Sequence, residues 1–264
     1  MDMEGMPPAV SRADARISTS QRRRSPLPPG QRAVDGFPRF GTYLHRPPPG
    51  VPADPAIEIG GAVTDLFRVP LAGLGDIPRR ELTADFHCVA GWSATDLHWE
   101  GIPFDAFYRI VIEPCLQPDA TVTHLVFCGL DGYRSVVEIG DARSDDVLLA
   151  DRLNGEQLEP DHGAPIRLVN PLQYGFISTK HLCRIELHKQ RPPQTNPSII
   201  RIGPLKLRNP LIRPHRRARV WEEERHANLP AWLLRDVYWR LFQRMRQVSA
   251  RGNASQTAAE EDDR

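Results

Sequence analysis

The sequence of 264 residues lacks several features that mark common classes of protein. Lys+Arg number 34 and Asp+Glu number 33, so the net charge of +1 excludes a polyelectrolyte that binds nucleic acid by charge alone. No apolar run approaches the ~18 residues that a transmembrane helix requires. Glycines with Walker spacing are missing as well, which excludes a P-loop phosphate site.

The four cysteines are too widely spaced to form a known metal or redox motif. Cys88, Cys115, Cys128 and Cys183 contain no C-x-x-C pair, which excludes a zinc ribbon and a thioredoxin-type site. Their even number is weak support for disulfides, because a domain of this length does not need them. The basic run 22–24 is followed by proline-rich sequence rather than an apolar segment, so we expect no export signal and a cytoplasmic protein.

Proline is over-represented in the sequence. The chain has 26 prolines, about twice the usual ~5%, which argues against a helical bundle and favours a loop-rich fold containing β-strands. With 40% hydrophobic and 25% charged residues the composition is globular, and one large domain of this length buries a substantial core.

Composition divides the chain into four parts. Residues 1–34 are rich in Arg, Ser and Pro and are predicted to be a disordered arm, whereas 35–190 carries the patterned sequence of a domain. Residues 191–251 are predicted to be a wrapping segment followed by a helix, and 252–264 a disordered acidic tail. The stretch 189–219 holds nine Lys or Arg and no acidic residue.

Short strand patterns alternate irregularly with helical ones in the domain. This mixed order favours an α+β fold over a doubly wound sheet. Strands are predicted at 57–63, 81–89, 121–127, 133–139, 166–169 and 184–187, and helices at 70–80, 102–112 and 141–150.

A C-terminal amphipathic helix is predicted over 230–248, with Pro230 in its first turn. Three interpretations are open: a helix docked on the core, a basic helix on a membrane surface, or a dimer contact. Its apolar stripe consists of Leu234, Val237, Tyr238, Leu241, Phe242, Met245 and Val248.

Cys88 ends an alternating segment and is followed by a turn at Gly91, which would allow the thiol to point into a cavity. One interpretation is a buried small hydrophobic side chain, since free cysteine is among the most buried residue types. The other is a cysteine nucleophile with a histidine base. Spacing does not choose among the candidate bases, which are His87, His98, His124 and His162.

Arg167 lies in an otherwise apolar strand, where an unpaired charge is costly. It therefore requires an anionic partner, either an internal carboxylate or a bound phosphate, which a guanidinium grips as a fork. Ser178, Thr179 and Lys180 add hydroxyls, backbone N–H groups and an ammonium close by in sequence.

Taken together, these motifs resemble the molybdopterin-binding domain of the sulfite oxidase superfamily, over roughly residues 35–190. The likeness is greatest to small bacterial sulfite oxidase-like proteins related to the catalytic subunit of methionine sulfoxide reductase. It implies a sulfite oxidase-type fold with mixed β-sheets and a molybdenum–molybdopterin cofactor. The matching stretches are 86–93, 99–103, 131–133, 146–150, 154–156, 162–169 and 174–180.

The resemblance also implies residue roles. Cys88 matches the cysteine whose thiolate binds molybdenum, a soft ligand that the metal keeps deprotonated. Tyr133 matches approximately the tyrosine that faces the metal, so it is a candidate catalytic residue; its alternative is an ordinary strand tyrosine. The positions that match cofactor-contacting residues are Gly129, His162, Arg167, Ser178, Thr179 and Lys180.

Three departures from the family pattern leave the substrate class open. Arg39 lies near one substrate-binding arginine of the sulfite oxidases, but only loosely. The Asn-containing motif of the methionine sulfoxide reductases has no counterpart in 35–50. Ala90 stands where those reductases have a glutamate two residues after the cysteine.

The expected function is molybdenum-dependent oxygen-atom transfer on a small substrate, with sulfur compounds among the candidates. We expect an external electron-transfer partner, no nucleic acid and no stable membrane insertion. The alternatives are a protein that binds the cofactor without turnover, an interaction protein, a cysteine hydrolase, and a binder of nucleic acid or an anionic surface through 189–219.

Overall fold

The structure is a computed structural model. It describes residues 26–41, 47–193, 199–202, 205–208, 214–240 and 242–244, and for 199–202 and 205–208 it describes the backbone alone.

Within these ranges the chain forms two mixed β-sheets, a separate hairpin and short helical segments, which confirms the predicted α+β class. The strands are β1 (Arg32–Ala33), β2 (Ala56–Gly61), β3 (Phe67–Pro70), β4 (Arg80–His87), β5 (Trp92–Pro103), β6 (His124–Gly129), β7 (Arg134–Glu138), β8 (Leu148–Leu153), β9 (Glu156–Gln157), β10 (Arg167–Val169), β11 (Leu182–His188), β12 (Ile199–Ile202) and β13 (Leu205–Arg208). The α-helical turns are α1 (Phe104–Phe107) and α2 (Ile139–Ala142); a π turn spans Tyr108–Ile112, and 3₁₀ turns span Leu71–Asp76, Glu113–Cys115 and Pro160–His162.

The first sheet has the strand order β1-β5-β8-β10, with β4 also paired to β5 and β9 to β8. Its long strand β5 pairs antiparallel with β4 and β8 and parallel with β1. Trp92 and Trp99 on β5 are buried in an aromatic core that also holds Phe242. This sheet positions both Cys88, at the end of β4, and Arg167, on β10.

The second sheet has the order β3-β2-β11-β6-β7, with the parallel pair β2 and β11 inside it. Ile57 and Ile59 on β2 and Ile185 and Leu187 on β11 are buried at alternate positions, as one face of a sheet against a core requires. These residues belong to a second apolar cluster that also receives α1.

The prediction of a disordered arm over 1–34 is wrong for 26–34; residues 1–25 lie outside the described ranges. Arg32–Ala33 forms β1 and pairs in parallel with the start of β5. Gln31 is buried, and Val34 packs against the aromatic core. The proline-rich composition of 26–34 does not indicate this order, because the segment is ordered by its contacts with the domain.

The predicted helix over 141–150 is also wrong beyond its first residues. Helix α2 ends at Ala142, and β8 begins at Leu148. Leu148, Leu149 and Ala150 are all fully buried, so the strand is covered on both faces. A short apolar run of this kind has no alternation that distinguishes a strand from a helix.

The other predicted elements fall close to observed ones. The helix predicted over 102–112 is α1 and its π turn, and the one over 70–80 contains only the 3₁₀ turn Leu71–Asp76. The strand predicted at 121–127 begins later, at His124. Strand β5 was not predicted, and it is the longest strand of the described region.

Near the C-terminus, residues 231–240 and 242–244 are helical. Tyr238 and Phe242 are buried in the aromatic core, which favours the docked interpretation. Val237 of the predicted apolar stripe is 60% exposed, so the buried part of the helix does not include it. Leu241, Met245 and Val248 of the predicted stripe lie outside the described residues. No helix of the described ranges has the length and apolar character to cross a bilayer.

We predict that Phe242→Ala destabilises the domain by about 3–5 kcal/mol, because it removes a fully buried ring that stacks on Trp92. Val237→Ala on the same helix is the matched control and should change the free energy of unfolding by less than about 0.5 kcal/mol. Urea unfolding measures both. Equal effects of the two substitutions would contradict the docking of this helix.

Candidate cofactor site

Cys88 lies in a tight turn between β4 and β5. The Cys88 N–H donates to the carbonyl of Trp92, and the Gly91 N–H donates back to the carbonyl of Cys88, each at 2.9 Å. Gly91 has a φ of +89°, a conformation that glycine adopts without strain. The predicted position of the cysteine, at a strand end beside a glycine turn, is confirmed.

The thiol is buried and held in its protonated form. Its Sγ accepts a hydrogen bond from the N–H of Ala90 at 3.5 Å. Burial raises the pKa of Cys88 to about 12, although this hydrogen bond and the charges of Arg225 and Lys180 act in the opposite direction. A metal cation bound at Sγ would offset this rise in pKa, because its charge stabilises the deprotonated thiolate.

The geometry does not favour a cysteine–histidine nucleophile. The neighbouring imidazole of His87 shares a hydrogen bond with the hydroxyl of Ser93, 2.8 Å from Nδ1. Burial also lowers the pKa of His87 to about 4. Among the hydrogen bonds of the described residues, none joins a histidine ring nitrogen to the sulfur of Cys88.

Arg167 is fully buried and bonds to backbone carbonyls. Its guanidinium donates to the carbonyl oxygens of His162 at 2.9 Å, Ser178 at 3.2 Å and Leu168 at 3.3 Å. Among the described residues no carboxylate lies within ion-pair distance of it, so the internal salt bridge considered from sequence is not found there. Burial lowers the pKa of Arg167 to about 9, which leaves it charged at neutral pH.

Aromatic rings surround this guanidinium. Its central carbon lies 5.2 Å from the ring centroid of Trp99, 5.4 Å from that of Phe86 and 5.9 Å from that of Phe37. Ring faces attract a cation at such distances, and more strongly where water is excluded. Phe86 is two residues before Cys88, so the arginine and the thiol are positioned by the same end of β4.

Lys180 forms the second buried cation of the site. Its Nζ donates to the backbone carbonyl of Asp161 at 2.6 Å. The side chain of Asp161 pairs with Arg39, at 3.2 Å between Nε and Oδ1. Burial lowers the pKa of Lys180 to about 7, and the charges of Arg167 and Arg39 lower it further in the same direction. The site is therefore richer in cations than in anions.

His162 presents a neutral ring to the same cluster. Its imidazole stacks on Phe37, with 4.7 Å between centroids and 11° between the planes. Burial, with the nearby charges of Lys180 and Arg167, lowers its pKa to about 4. Its Nδ1 is buried and has no hydrogen-bond partner in the described part of the chain. A buried polar atom of this kind is available to a ligand.

Two glycines allow the segment around Lys180 to come close. A Cβ on Gly129 would lie 2.4 Å from the carbonyl oxygen of Lys180 and 2.7 Å from Oδ1 of Asp131. Gly163 has a φ of +108°, and a Cβ there would lie 3.1 Å from the Cβ of Lys180. The structure thus brings the predicted residue Gly129 beside Lys180.

Ser178 and Thr179 are buried, and their segment runs beside β10, where the N–H of Leu168 donates to the carbonyl of Thr179 at 2.9 Å. Their hydroxyls bond within the protein. The Ser178 Oγ accepts from the N–H of Asn170 at 3.1 Å, and Thr179 Oγ1 lies 2.8 Å from Oγ of Ser135. Their predicted contacts with the cofactor stay a prediction.

Tyr133 lies on the loop before β7 and is half-buried. Its hydroxyl donates to the carbonyl of Phe176 at 2.7 Å, and its N–H donates to Oδ1 of Asp131 at 2.9 Å. The side chain therefore holds the loop that leads into Ser178. Its predicted catalytic role stays a prediction.

Sequence reasoning missed two residues that contact the Cys88 turn. Gln31 donates from Nε2 to the carbonyl of Cys88 at 3.1 Å and accepts from the hydroxyl of Ser93 at 3.0 Å. Arg225 is fully buried and donates from Nη1 to the carbonyl of Val89 at 2.7 Å. Neither has a local sequence signal, since the only hint of a close approach is a single glycine in each contacted segment, Gly30 and Gly91.

These residues fit an anionic cofactor that carries a soft metal. Arg167 lacks a carboxylate partner among the described residues, and Lys180 bonds to a carbonyl. Arg167 therefore retains its positive charge for a phosphate, and a phosphate beside Lys180 would favour the charged form of that side chain. The Cys88 thiol supplies a soft ligand. A surface groove of about 530 Å³ reaches Phe37 but is lined by 33–37, 95–97 and Asn154, so it is not this site.

Comparison with known proteins identifies the family. Residues 45–196 match the family model described as "Oxidoreductase molybdopterin binding domain". Since this match spans more than half of the chain, the protein belongs to the molybdopterin-binding oxidoreductases. The resemblance found in the sequence motifs is confirmed.

Several relatives are recognisable. The chain is 29% identical over 137 residues, 52% of its length and 67% of the relative's, to the "Uncharacterized oxidoreductase YuiH" of Bacillus subtilis. It is similar to the "Protein-methionine-sulfoxide reductase catalytic subunit MsrP" of Pseudomonas syringae pv. tomato (27% over 212 residues, 68% of this chain and 60% of that one). The MsrP of Gluconobacter oxydans is 31% identical over 157 residues, 53% of this chain and 48% of that one.

Among solved structures, the sulfane dehydrogenase SoxCD from Paracoccus pantotrophus matches with a TM-score of 0.45 and 22% identity, over 52% of this chain and 39% of that chain. The chain spans about half to two thirds of the length of the curated relatives named above.

We predict that Lys180 makes the stability of the metal-free protein rise with pH. Its folded pKa, about 7, lies below its ordinary value of 10.5. Between these values the unfolded chain binds more protons than the folded one, so the free energy of unfolding increases as pH rises through this window.

Urea unfolding of the wild type and Lys180→Met at pH 6.5 and pH 9.5 measures this contribution. The stability of the wild type relative to the variant should be greater at the higher pH. A difference that does not change between the two pH values would contradict the buried position of Lys180.

Proposed function

We propose that this protein is a molybdenum-dependent oxidoreductase that transfers an oxygen atom to or from a small substrate, with Cys88 as the protein ligand of the metal. One observation carries the proposal. The chain belongs to this family, and its buried Cys88 thiol directly follows strand β4. The Phe86 ring of that strand packs against Arg167, a buried arginine that has no carboxylate partner among the described residues.

When bound, the molybdenum–molybdopterin cofactor would supply a metal that changes oxidation state as oxygen is transferred. Cys88 would hold the metal through its thiolate. Arg167 and Lys180 would neutralise the pterin phosphate, because both are buried cations whose present partners are carbonyl oxygens. His162 offers a ring nitrogen without a hydrogen-bond partner among the described residues, and Gly129 lets the backbone of Lys180 approach closely.

Sulfoxide reduction is the reaction we propose first for the substrate. Two of the relatives carry the name of a methionine sulfoxide reductase catalytic subunit. The reaction consumes one sulfoxide, two electrons and two protons, and it yields one thioether and one water. An electron donor outside this chain would supply the electrons. Tyr133 is the candidate for orienting the substrate, and it could donate a hydrogen bond to the substrate oxygen only by giving up the one that it donates to the carbonyl of Phe176.

The described contacts of the basic stretch 189–219 favour a packing role over nucleic-acid binding. Arg217 pairs with Glu224 at 2.7 Å, and Arg219 pairs with Asp141 at 2.6 Å. Arg191 donates to the carbonyl of Arg216. Two of the charges are thus already neutralised by carboxylates.

The proposal is tested on the full chain produced in a host that makes molybdopterin. Molybdenum and pterin are quantified per chain, and a dye-linked assay is run with sulfoxides, N-oxides and sulfite. About one molybdenum and one pterin per chain, with turnover of at least one substrate class, are expected. Purified protein without either component, or hydrolase activity that survives metal removal, would contradict the proposal.

We predict that Cys88→Ser reduces dye-linked turnover by more than about 100-fold. Replacing a residue that only supports a metal ligand typically costs about 10–100-fold, and Cys88 is proposed to be the ligand itself. The fold should persist, because the substitution changes one atom of a small side chain. Cys115→Ser is the control, and it should keep full turnover and metal content. Full activity of the Cys88 variant would refute the ligand assignment.

We predict that Arg167→Ala lowers the amount of pterin retained during purification, because it removes a buried cation that would face the phosphate. Arg184→Ala, which removes a half-buried arginine paired with Glu58 and Glu186, should retain the wild-type amount. Pterin released by denaturation is measured by fluorescence after oxidation. If the two variants retained equal amounts of pterin, Arg167 would have no role in cofactor binding.

A further inference from the structure

A buried arginine from outside the family match reaches the turn that carries Cys88. The family model matches 45–196, whereas Arg225 lies beyond it. Its side chain has no exposed surface. A guanidinium is costly to bury, so its contacts indicate what it holds in place.

Arg225 joins segments that are distant in sequence. Its Nη1 donates to the carbonyl of Val89 at 2.7 Å, and its Nη2 donates to the carbonyl of Pro29 at 3.2 Å. Its central carbon lies 5.2 Å from the ring centroid of Tyr174. The arginine thus ties the residue after Cys88 to the N-terminal segment.

The other carbonyls around this turn are also held by residues outside it. The carbonyl of Cys88 accepts from Gln31, and that of Gly91 accepts from the N–H of Arg32 at 3.0 Å. The carbonyl of His87 accepts from the N–H of Gly175 at 2.7 Å. The direction of the turn is therefore set by its surroundings, and Arg225 is the charged member of that set.

Gly30 makes room for the guanidinium. A Cβ at this position would lie 2.9 Å from Nη2 of Arg225, closer than packed atoms come. Gly30 also has a positive φ of +68°, which glycine adopts without strain. The N-terminal segment is thus shaped to admit Arg225.

The carboxylate nearest to Arg225 is shared with a second arginine. Nε of Arg225 lies 3.6 Å from Oε1 of Glu223, beyond ordinary hydrogen-bond distance. Arg235 donates to both oxygens of Glu223, with Nε at 2.6 Å from Oε1. One negative charge faces two positive ones, so positive charge remains beside the Cys88 turn.

We propose that Arg225 is a positioning residue for the metal-binding thiol. By holding the carbonyls of Val89 and Pro29, it fixes the direction in which the turn presents Sγ of Cys88. This inference rests on the proposed function for the role of the thiol, but the contacts that carry it belong to the chain itself. Residues that orient a metal ligand in this way tune the metal as well as its retention.

The test uses three variants of the full chain. Arg225→Met removes the hydrogen bonds and the charge while keeping a long side chain, and Arg225→Lys retains a charge on a single donor nitrogen. Arg219→Met is the matched control, because it removes an arginine that pairs with Asp141 and makes no hydrogen bond to the Cys88 turn among the described residues.

Two readouts are compared. Amide hydrogen exchange of the metal-free chain is followed for residues 86–93 and, as a reference, for 124–138. The electron paramagnetic resonance spectrum of Mo(V) is recorded for the loaded fraction of each protein, because its g values depend on the orientation of the thiolate ligand.

In Arg225→Met we expect exchange in 86–93 to be faster by about tenfold, with less than a twofold change in 124–138, since the loss is local. We also expect shifted Mo(V) g values, partial restoration in Arg225→Lys, and wild-type behaviour in Arg219→Met. If the Met variant does not fold, the Lys variant carries the same two comparisons.

Faster exchange spread evenly over both segments, or unchanged exchange with an unchanged spectrum, would overturn the positioning role. A changed turn with identical g values would overturn it too. Absence of molybdenum from the wild type would instead contradict the proposed function. In that case the hydrogen-exchange measurement alone would decide whether Arg225 holds the turn.

Discussion

The burial of a positive charge without a carboxylate partner among the described residues is the constraint on which this site depends. Arg167 is fully enclosed, and its hydrogen bonds go to three carbonyl oxygens. Desolvation of a guanidinium costs several kcal/mol, which carbonyl dipoles and aromatic rings offset in part. The strand β10 and the segment through Lys180 are arranged around that requirement, and the result is a cluster of buried cations that favours an anion.

Local chemistry made this part of the site predictable. A charged residue inside an apolar strand and a cysteine between a strand and a glycine turn are visible in the sequence, and both lie where that pattern indicates. The fold class followed from the mixed order of elements. Strand β8 was missed, because Leu148 and its neighbours are buried on both faces and lack the alternation that marks a half-exposed strand.

The rest depends on contacts between distant segments, which no local pattern encodes. Gln31 binds a carbonyl 57 positions away, and Arg225 binds one 136 positions away. In a region rich in arginine, nothing separates the buried arginine from those on the surface. Val237 illustrates the same limit, since apolar spacing shows that a helix has an apolar face but not how far the core extends around it.

The contact between Arg225 and Pro29 spans 196 positions along the chain. Contacts of such large sequence separation form late, because a long loop must first be closed. During synthesis, residue 225 leaves the ribosome only after the whole matched domain has been made. The Cys88 thiol therefore acquires its final surroundings only after residue 225 has been made, and the geometry proposed for metal binding is not complete in the nascent matched domain.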